Sequence, residues 1–159
     1  MLIFGSAAID VTAQARPSTG SILHTTVPGA VQFTPGGVGR NIAECASRLS
    51  DPDEVLLVSA IGTRSRSGNQ DDSSLTADTF GTILETEMGI SDMRTDGLIR
   101  REEDGANTAV CNLILSNDGG LIAGIADMDI AESITSEEVR IDFLPTDIRH
   151  LVLKDDLLV

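Results

Sequence analysis

Apolar residues are arranged in two styles along this chain. Residues 2–9 form an apolar run closed by Asp10, and residues 54–61 repeat that character before Gly62. Runs of this kind predict strands buried on both faces. Between them, Asn41 to Leu49 carries its apolar residues at helical spacing. The order strand, helix, strand is the unit of a parallel sheet. Residues 76–88 continue it, with Phe80, Ile83, Leu84 and Met88 at helical spacing and Gly89 where a C-terminal stop belongs. Thr63 to Ser74 is polar and glycine-bearing and reads as a loop or insertion.

The second style is that of paired strands. Thr108 to Leu115 and Leu121 to Ala126 are strand-like, and Ser116-Asn117-Asp118-Gly119-Gly120 joins them. Asn, Asp and Gly tolerate the positive φ of tight turns, so this is a hairpin signal. Another strand-like stretch runs from Ser21 to Phe33. Residues 133–141 predict a short helix opened by Ser133 or Thr135, with Glu137 and Glu138 in the first turn where the helix dipole favours acids. His150 to Lys154 reads as a further buried strand.

Composition narrows the class. With 159 residues, 41% hydrophobic and 23% charged, the chain can bury one domain's core. Trp and Tyr are absent, so that core must be aliphatic and platforms for base stacking are scarce. A net charge of −14 repels polyanions, which argues against nucleic acid and anionic membrane surfaces as partners. A nucleotide would need a local positive site or a magnesium ion. No apolar run reaches membrane-spanning length and Met1-Leu2-Ile3-Phe4 reads as a strand without a basic leader, so a cytoplasmic location is expected. Cys45 and Cys111 lack metal or redox spacing and are expected as buried free thiols. His24 and His150 have no partner pattern and read as structural or surface residues. No metal site is expected from these residues.

The chemistry concentrates in Pro35-Gly36-Gly37-Val38-Gly39-Arg40-Asn41, where three glycines lead into the first helix. Such a loop brings main-chain N–H groups close to a ligand at a helix start, and Asn41 adds an amide that can both donate and accept. A tight turn with a helix cap has the same spacing. A dinucleotide fingerprint fails at Ile42, which disfavours an α/β redox domain, and a phosphate-binding Gly-Lys-Ser/Thr occurs nowhere. Asp127 and Asp129, in Ala126-Asp127-Met128-Asp129-Ile130, could face one site or cap the following turn.

Together with Gly5-Ser6-Ala7-Ala8-Ile9-Asp10, the glycine loop resembles the first signature of the PfkB or ribokinase-type family of sugar and nucleoside kinases. The resemblance implies a ribokinase-like three-layer α/β/α fold with a mainly parallel sheet and a small antiparallel β lid from about residues 11–35 and 95–127. An ordinary antiparallel extension without a gating role fits the same pattern. By the same resemblance Asp10, Gly36, Gly37 and Asn41 hold the hydroxyls of the phosphate acceptor. Gly62 and Asp78-Thr79-Phe80-Gly81 look like the two ends of the family's Gly-x-Asp-x-x-Gly passage, split by extra residues.

With the Thr108-Ala109 strand start and the Ala-Asp-Met-Asp-Ile run, the loop resembles the pseudouridine kinase branch, particularly the kinase half of fungal-type fusions with a pseudouridine-phosphate glycosidase. Thr108 and Asp127 are then expected near the lid side of the pocket. ATP and Mg²⁺ are implied as cofactors, a nucleoside or sugar as substrate, and the lid strands allow a homodimer. The resemblance covers nearly all of this chain but only the N-terminal half of the family. The Gly-Ala-Gly-Asp run of the family's second signature does not occur in residues 1–159. No catalytic base is therefore assigned here, and most ATP-binding residues are expected outside these residues. The competing expectation is a non-catalytic α/β module that binds a ligand or a partner chain.

Overall fold

The computed structural model describes residues 1–16, 25–64, 76–102 and 106–139. Two sheets carry the architecture. In the body sheet, strand β1 (Leu2–Phe4) runs parallel to β4 (Leu56–Arg64), and β4 runs parallel to β6 (Leu98–Arg101) and antiparallel to the two-residue β5 (Thr76–Ala77). The lid sheet has four strands, with β3 (Gly29–Gly36) antiparallel to β2 (Ala8–Ala15), β2 parallel to β7 (Val110–Leu115), and β7 antiparallel to β8 (Leu121–Asp127). Two 12-residue helices, α1 (Val38–Leu49) and α2 (Thr79–Ile90), pack on the body. A single helical turn, α3 (Ser136–Glu138), follows a 3₁₀ segment over Asp129–Ser133. This is the expected ribokinase-like arrangement in part, but the lid sheet is mixed and not antiparallel as expected, because β2 and β7, distant along the chain, run parallel.

The core is aliphatic, as the composition requires. Ala43 of α1 and Leu84 and Met88 of α2 close on Leu57 and Ile61 of β4 together with Ile9 and Leu98. A smaller cluster of Ala8, Ala60, Ala109 and Ile130 lies apart from it, with Met128 and Ile134 packed against it. β4 serves both, because alternate residues of a strand face opposite ways.

The run at residues 2–9 is not one strand buried on both faces. It breaks at Gly5 to Ala7, and its halves enter different sheets. The Ser6 carbonyl accepts from the Arg40 N–H at 3.1 Å, and the Ala7 N–H donates to Ser59 Oγ at 2.9 Å. Backbone groups used in this way are withdrawn from any ladder, so the chain crosses between sheets here. β1 also has Leu2 and Ile3 only half-buried and Phe4 exposed. The second helix ends beyond Gly89. It continues to Ile90, and Asp92, with φ 55°, makes the left-handed turn while the Met93 N–H bonds back to the Met88 carbonyl. Cys45 is exposed and Cys111 partly so, because α1 turns Ala43 and Ser47, not Cys45, towards the body. β6, within the stretch expected to leave the main sheet, pairs with β4. Thr63 and Arg64, expected in a loop, extend β4. His24, His150, the strand at 150–154, most of the insertion at 63–74, and residues 17–24 and 103–105 of the lid segments lie outside the described residues.

The split Gly-x-Asp-x-x-Gly passage closes in space. The Asp78 N–H donates to the Gly62 carbonyl at 2.9 Å, and Asp78 caps α2 by accepting from the Gly81 N–H at 2.7 Å. Its other contacts reach the lid: Oδ2 accepts from the Thr108 N–H and Oδ1 from Thr108 Oγ1, both at 2.8 Å, while Thr108 Oγ1 accepts from the Gly62 N–H at 3.0 Å. At the C-terminal end of the described chain Thr135 and Glu138 form a capping box, and Arg101 grips Glu138 with two hydrogen bonds at 2.6 and 2.9 Å. The guanidinium, with the Thr135 backbone, holds the Glu138 carboxyl down at about 2.

Asp78→Ala removes a helix cap and leaves the Thr108 donors buried without partners, so it is expected to destabilise the fold by about 3–5 kcal/mol. Urea unfolding followed by circular dichroism measures this, and a change below about 1 kcal/mol would show the network to be dispensable.

Candidate functional site

The glycine loop is built by exclusion. Gly37 has φ 90°, and a Cβ there would stand 2.8 Å from the Ser6 carbonyl carbon. A side chain is strained in that conformation and blocked by the crossing segment as well. At Gly36 the obstacle is Asp10 itself, since a Cβ would lie 2.6 Å from its Cγ. The Asp10 carboxylate therefore lies directly over the loop backbone. Gly37 is the N-cap of α1 and offers no side-chain cap, so the helix start faces this space with backbone donors.

Strand register decides which side chains share a face. Asp10 is paired with Thr34 and Cys111, and Ala8 with Gly36, which puts Asp10, Gly36 and Cys111 on one face of the lid sheet. Val11 is paired with Phe33 and Asn112, Asn112 with Ile125, and Val110 with Asp127, which puts these on the other face. The packing agrees with this division. Val11 packs against the core that includes Leu84 of α2, and the rings of Phe33 and Phe80 lie 6.3 Å apart.

The six expected residues thus separate. Asp10 and Gly36 meet, Gly37 follows as the N-cap of α1, and Asn41 is the fourth residue of that helix. Asp10 is half-buried, and among the described residues its carboxylate has no hydrogen-bond partner. Thr108 is fully buried, with its hydroxyl committed to Asp78 and Gly62. Asp127 lines a cavity of about 510 Å³ on the opposite lid face, shared with Phe80, Val110, Asn112 and Ile125.

The groups around the loop have the chemistry to bind hydroxyls. An unpartnered carboxylate accepts from hydroxyl groups, an amide at a helix start adds a second polar contact, and glycine backbone lets a ring approach. These groups do not fit a triphosphate or its magnesium. No three His, Cys, Asp or Glu side chains among the described residues are placed to hold a metal ion, and Arg40, the cation nearest the loop in sequence, is paired with Glu44 at 2.8 Å. Sequence reasoning missed Arg40, whose signal was a basic residue in the first turn of a helix, where the dipole disfavours it. No described helix is long and apolar enough to cross a membrane.

Comparison with known proteins shows what the chain is similar to. No protein-family model matches the chain. The pseudouridine kinase of Arabidopsis thaliana is 34% identical over 137 residues, which cover 86% of this chain and 30% of that protein. The pseudouridine kinase of Escherichia coli (strain K12) is 33% identical over 137 residues, covering 86% and 37%. The chain thus spans about a third of the length of these relatives. Among solved structures, ribokinase from Giardia lamblia superposes with a TM-score of 0.57 at 20% identity, covering 79% of this chain and 34% of that one, and this likeness concerns the fold.

Gly36→Ala should push the Asp10 carboxylate off the loop, and any acceptor held by Asp10 should bind at least about tenfold more weakly with little change in melting temperature. Calorimetry with D-ribose and pseudouridine reads the loss, and unchanged affinity would show that the close approach has no part in binding.

Proposed function

We propose that this chain, a stretch of a PfkB or ribokinase-type carbohydrate kinase, forms the acceptor-binding part of an enzyme that phosphorylates the 5′-hydroxyl of a nucleoside or sugar from ATP. The observation that carries this reading is the Asp10 carboxylate, without a protein hydrogen-bond partner among the described residues, laid over Gly36 at the mouth of α1. Two neighbouring hydroxyls of a ribose can donate to its two oxygens, while Asn41 bonds a further oxygen of the sugar. Gly36 and Gly37 let the loop backbone lie against the ring. Pseudouridine is the acceptor we favour, because the relatives are named for it and the match spans most of this chain.

Thr108 and Asp127 do not touch the acceptor held by Asp10 in this reading. Thr108 anchors the start of β7 to the body through Asp78. Asp127 faces the cavity between β8 and the start of α2. When bound, ATP would supply the γ-phosphoryl group, leaving as ADP, and Mg²⁺ would neutralise charge on it. The base for the acceptor hydroxyl is expected in a Gly-Ala-Gly-Asp segment, which this sequence does not contain.

The lid face away from Asp10, part of which packs on α2, bears on the partner. Val31, Phe33, Ile114 and Ile125 all lie on the face away from Asp10, and each is exposed. A second copy of the same face would cover them, giving a homodimer through the lid strands. Light scattering is expected to report a dimer that Ile125→Lys converts to a monomer with an unchanged circular dichroism spectrum. A wild-type monomer at micromolar concentration would remove this partner.

For the site itself, Asp10→Ala in the intact protein is expected to weaken pseudouridine or ribose binding by about 10- to 150-fold, the equivalent of about 1.5–3 kcal/mol for a hydrogen-bonded charge. Asn41→Ala should act in the same direction and less strongly. Calorimetry showing unchanged affinity for both compounds in both variants would end the site assignment. Tighter binding of a different sugar by the wild type would keep the site and replace the acceptor.

A further inference from the structure

We propose that Arg40 is a positioning residue of the acceptor site, fixing the Asn41 side-chain amide so that its oxygen is held by the protein and only its NH₂ group is presented to the ligand. This rests on the reading of Asn41 as an acceptor contact.

Arg40 is the third residue of α1 and is 6% exposed, although a cation in a first helical turn opposes the dipole and a buried charge must find partners. Its partners are Glu44 Oε2 at 2.8 Å, Asn41 Oδ1 at 3.0 Å and the Pro35 carbonyl at 3.5 Å, all through one nitrogen, Nη1. Nε is buried without a partner, so the placement does not exhaust the bonding capacity of the guanidinium. Salt-bridge strength alone is a poor account of such an arrangement. What the placement does achieve is geometric, because it ties the first residue of the glycine loop, the amide of Asn41 and the second turn of α1 to one rigid planar group.

The direction of the amide follows from donor chemistry. A guanidinium has only N–H donors, so the Asn41 atom facing it must be the carbonyl oxygen. The Nδ2 group then points elsewhere, and among the described residues it has no partner, while Asn41 as a whole is exposed. Glu44 keeps Arg40 in place. Hydrogen bonding from Arg48, 3.1 Å away through Nε, and the charge of Arg40 hold the Glu44 carboxyl below its ordinary range, so the anchor remains charged at neutral pH. Fixed in this way, Asn41 keeps its oxygen on Arg40 and turns its two N–H donors to a ligand. It selects groups that offer a lone pair, a hydroxyl or carbonyl oxygen, and is unfavourable to an ammonium.

The test is a double-mutant cycle on the intact protein, with pseudouridine as the calorimetric probe and melting temperatures as the control. Asn41→Ala is expected to weaken binding by about three- to tenfold. Arg40→Met should weaken it by a similar factor when Asn41 is present and hardly at all in the Asn41→Ala background. Arg40→Lys, which keeps the charge but not the planar fork, should recover part of the loss. If Asn41→Ala binds normally, the reading of Asn41 itself has failed. If it binds weakly and Arg40→Met costs the same in both backgrounds, Asn41 stands and the positioning role is overturned. Where Arg40→Met does not fold, the Asn41 side-chain amide signals in ¹H–¹⁵N spectra decide between the same outcomes. Hindered rotation in the wild type that loosens in Arg40→Lys upholds the role, and equal mobility in both overturns it.

Discussion

One buried carboxylate holds the lid to the body. Asp78 accepts from the backbone of α2 and from both donors of Thr108, and Thr108 in turn accepts from Gly62 on β4. Each of these bonds is shielded from water, where leaving a donor unpaired costs about 1–3 kcal/mol. The angle at which β7 leaves the body is therefore fixed by chemistry at its first residues. Since β7 pairs with β2 along six residues, the position of Asp10 is fixed with it.

That chain of constraint reaches the site from two sides. β2 and β7 present Asp10 from the lid, while α1 presents the glycine loop and Asn41 from the body. They meet just past Gly36, the last residue of β3, over which Asp10 lies so closely that no side chain fits at that position. The site is thus a junction between the lid sheet and the start of α1, and its shape depends on bonds made elsewhere, at Asp78 and Thr108.

Much of this was legible in the sequence where the cause was local. The hairpin turn at Ser116 to Gly120 forms as read, with Gly119 at φ 87°, and Thr135 caps the helix at 136–138 as its type suggests. The glycine loop was legible for the same reason. What could not be read depends on partners distant along the chain. The break at Gly5 to Ala7 exists because α1 and Ser59 claim its backbone groups, and an apolar run carries no mark of that. The division of Asp10 and Asp127 between opposite lid faces follows from register between strands a hundred residues apart. The buried place of Arg40 could not be read because a sequence does not show which helix face is buried.

The pairing of Ile9 with Val110 has a further consequence, for the time at which the protein is made. The first lid hairpin, β2 with β3, can form once residue 36 has left the ribosome, but its neighbour β7 is on the order of a hundred residues behind. At the usual synthesis rate of about 5–20 residues per second, the edge of β2 waits on the order of 5–20 s for its partner. During that interval a strand edge and an apolar face stand open, a state in which chains associate wrongly. Nascent chains of this protein should therefore depend on chaperone cover from the emergence of β2 until β7 arrives, and slow codons before residue 110 should lengthen that dependence.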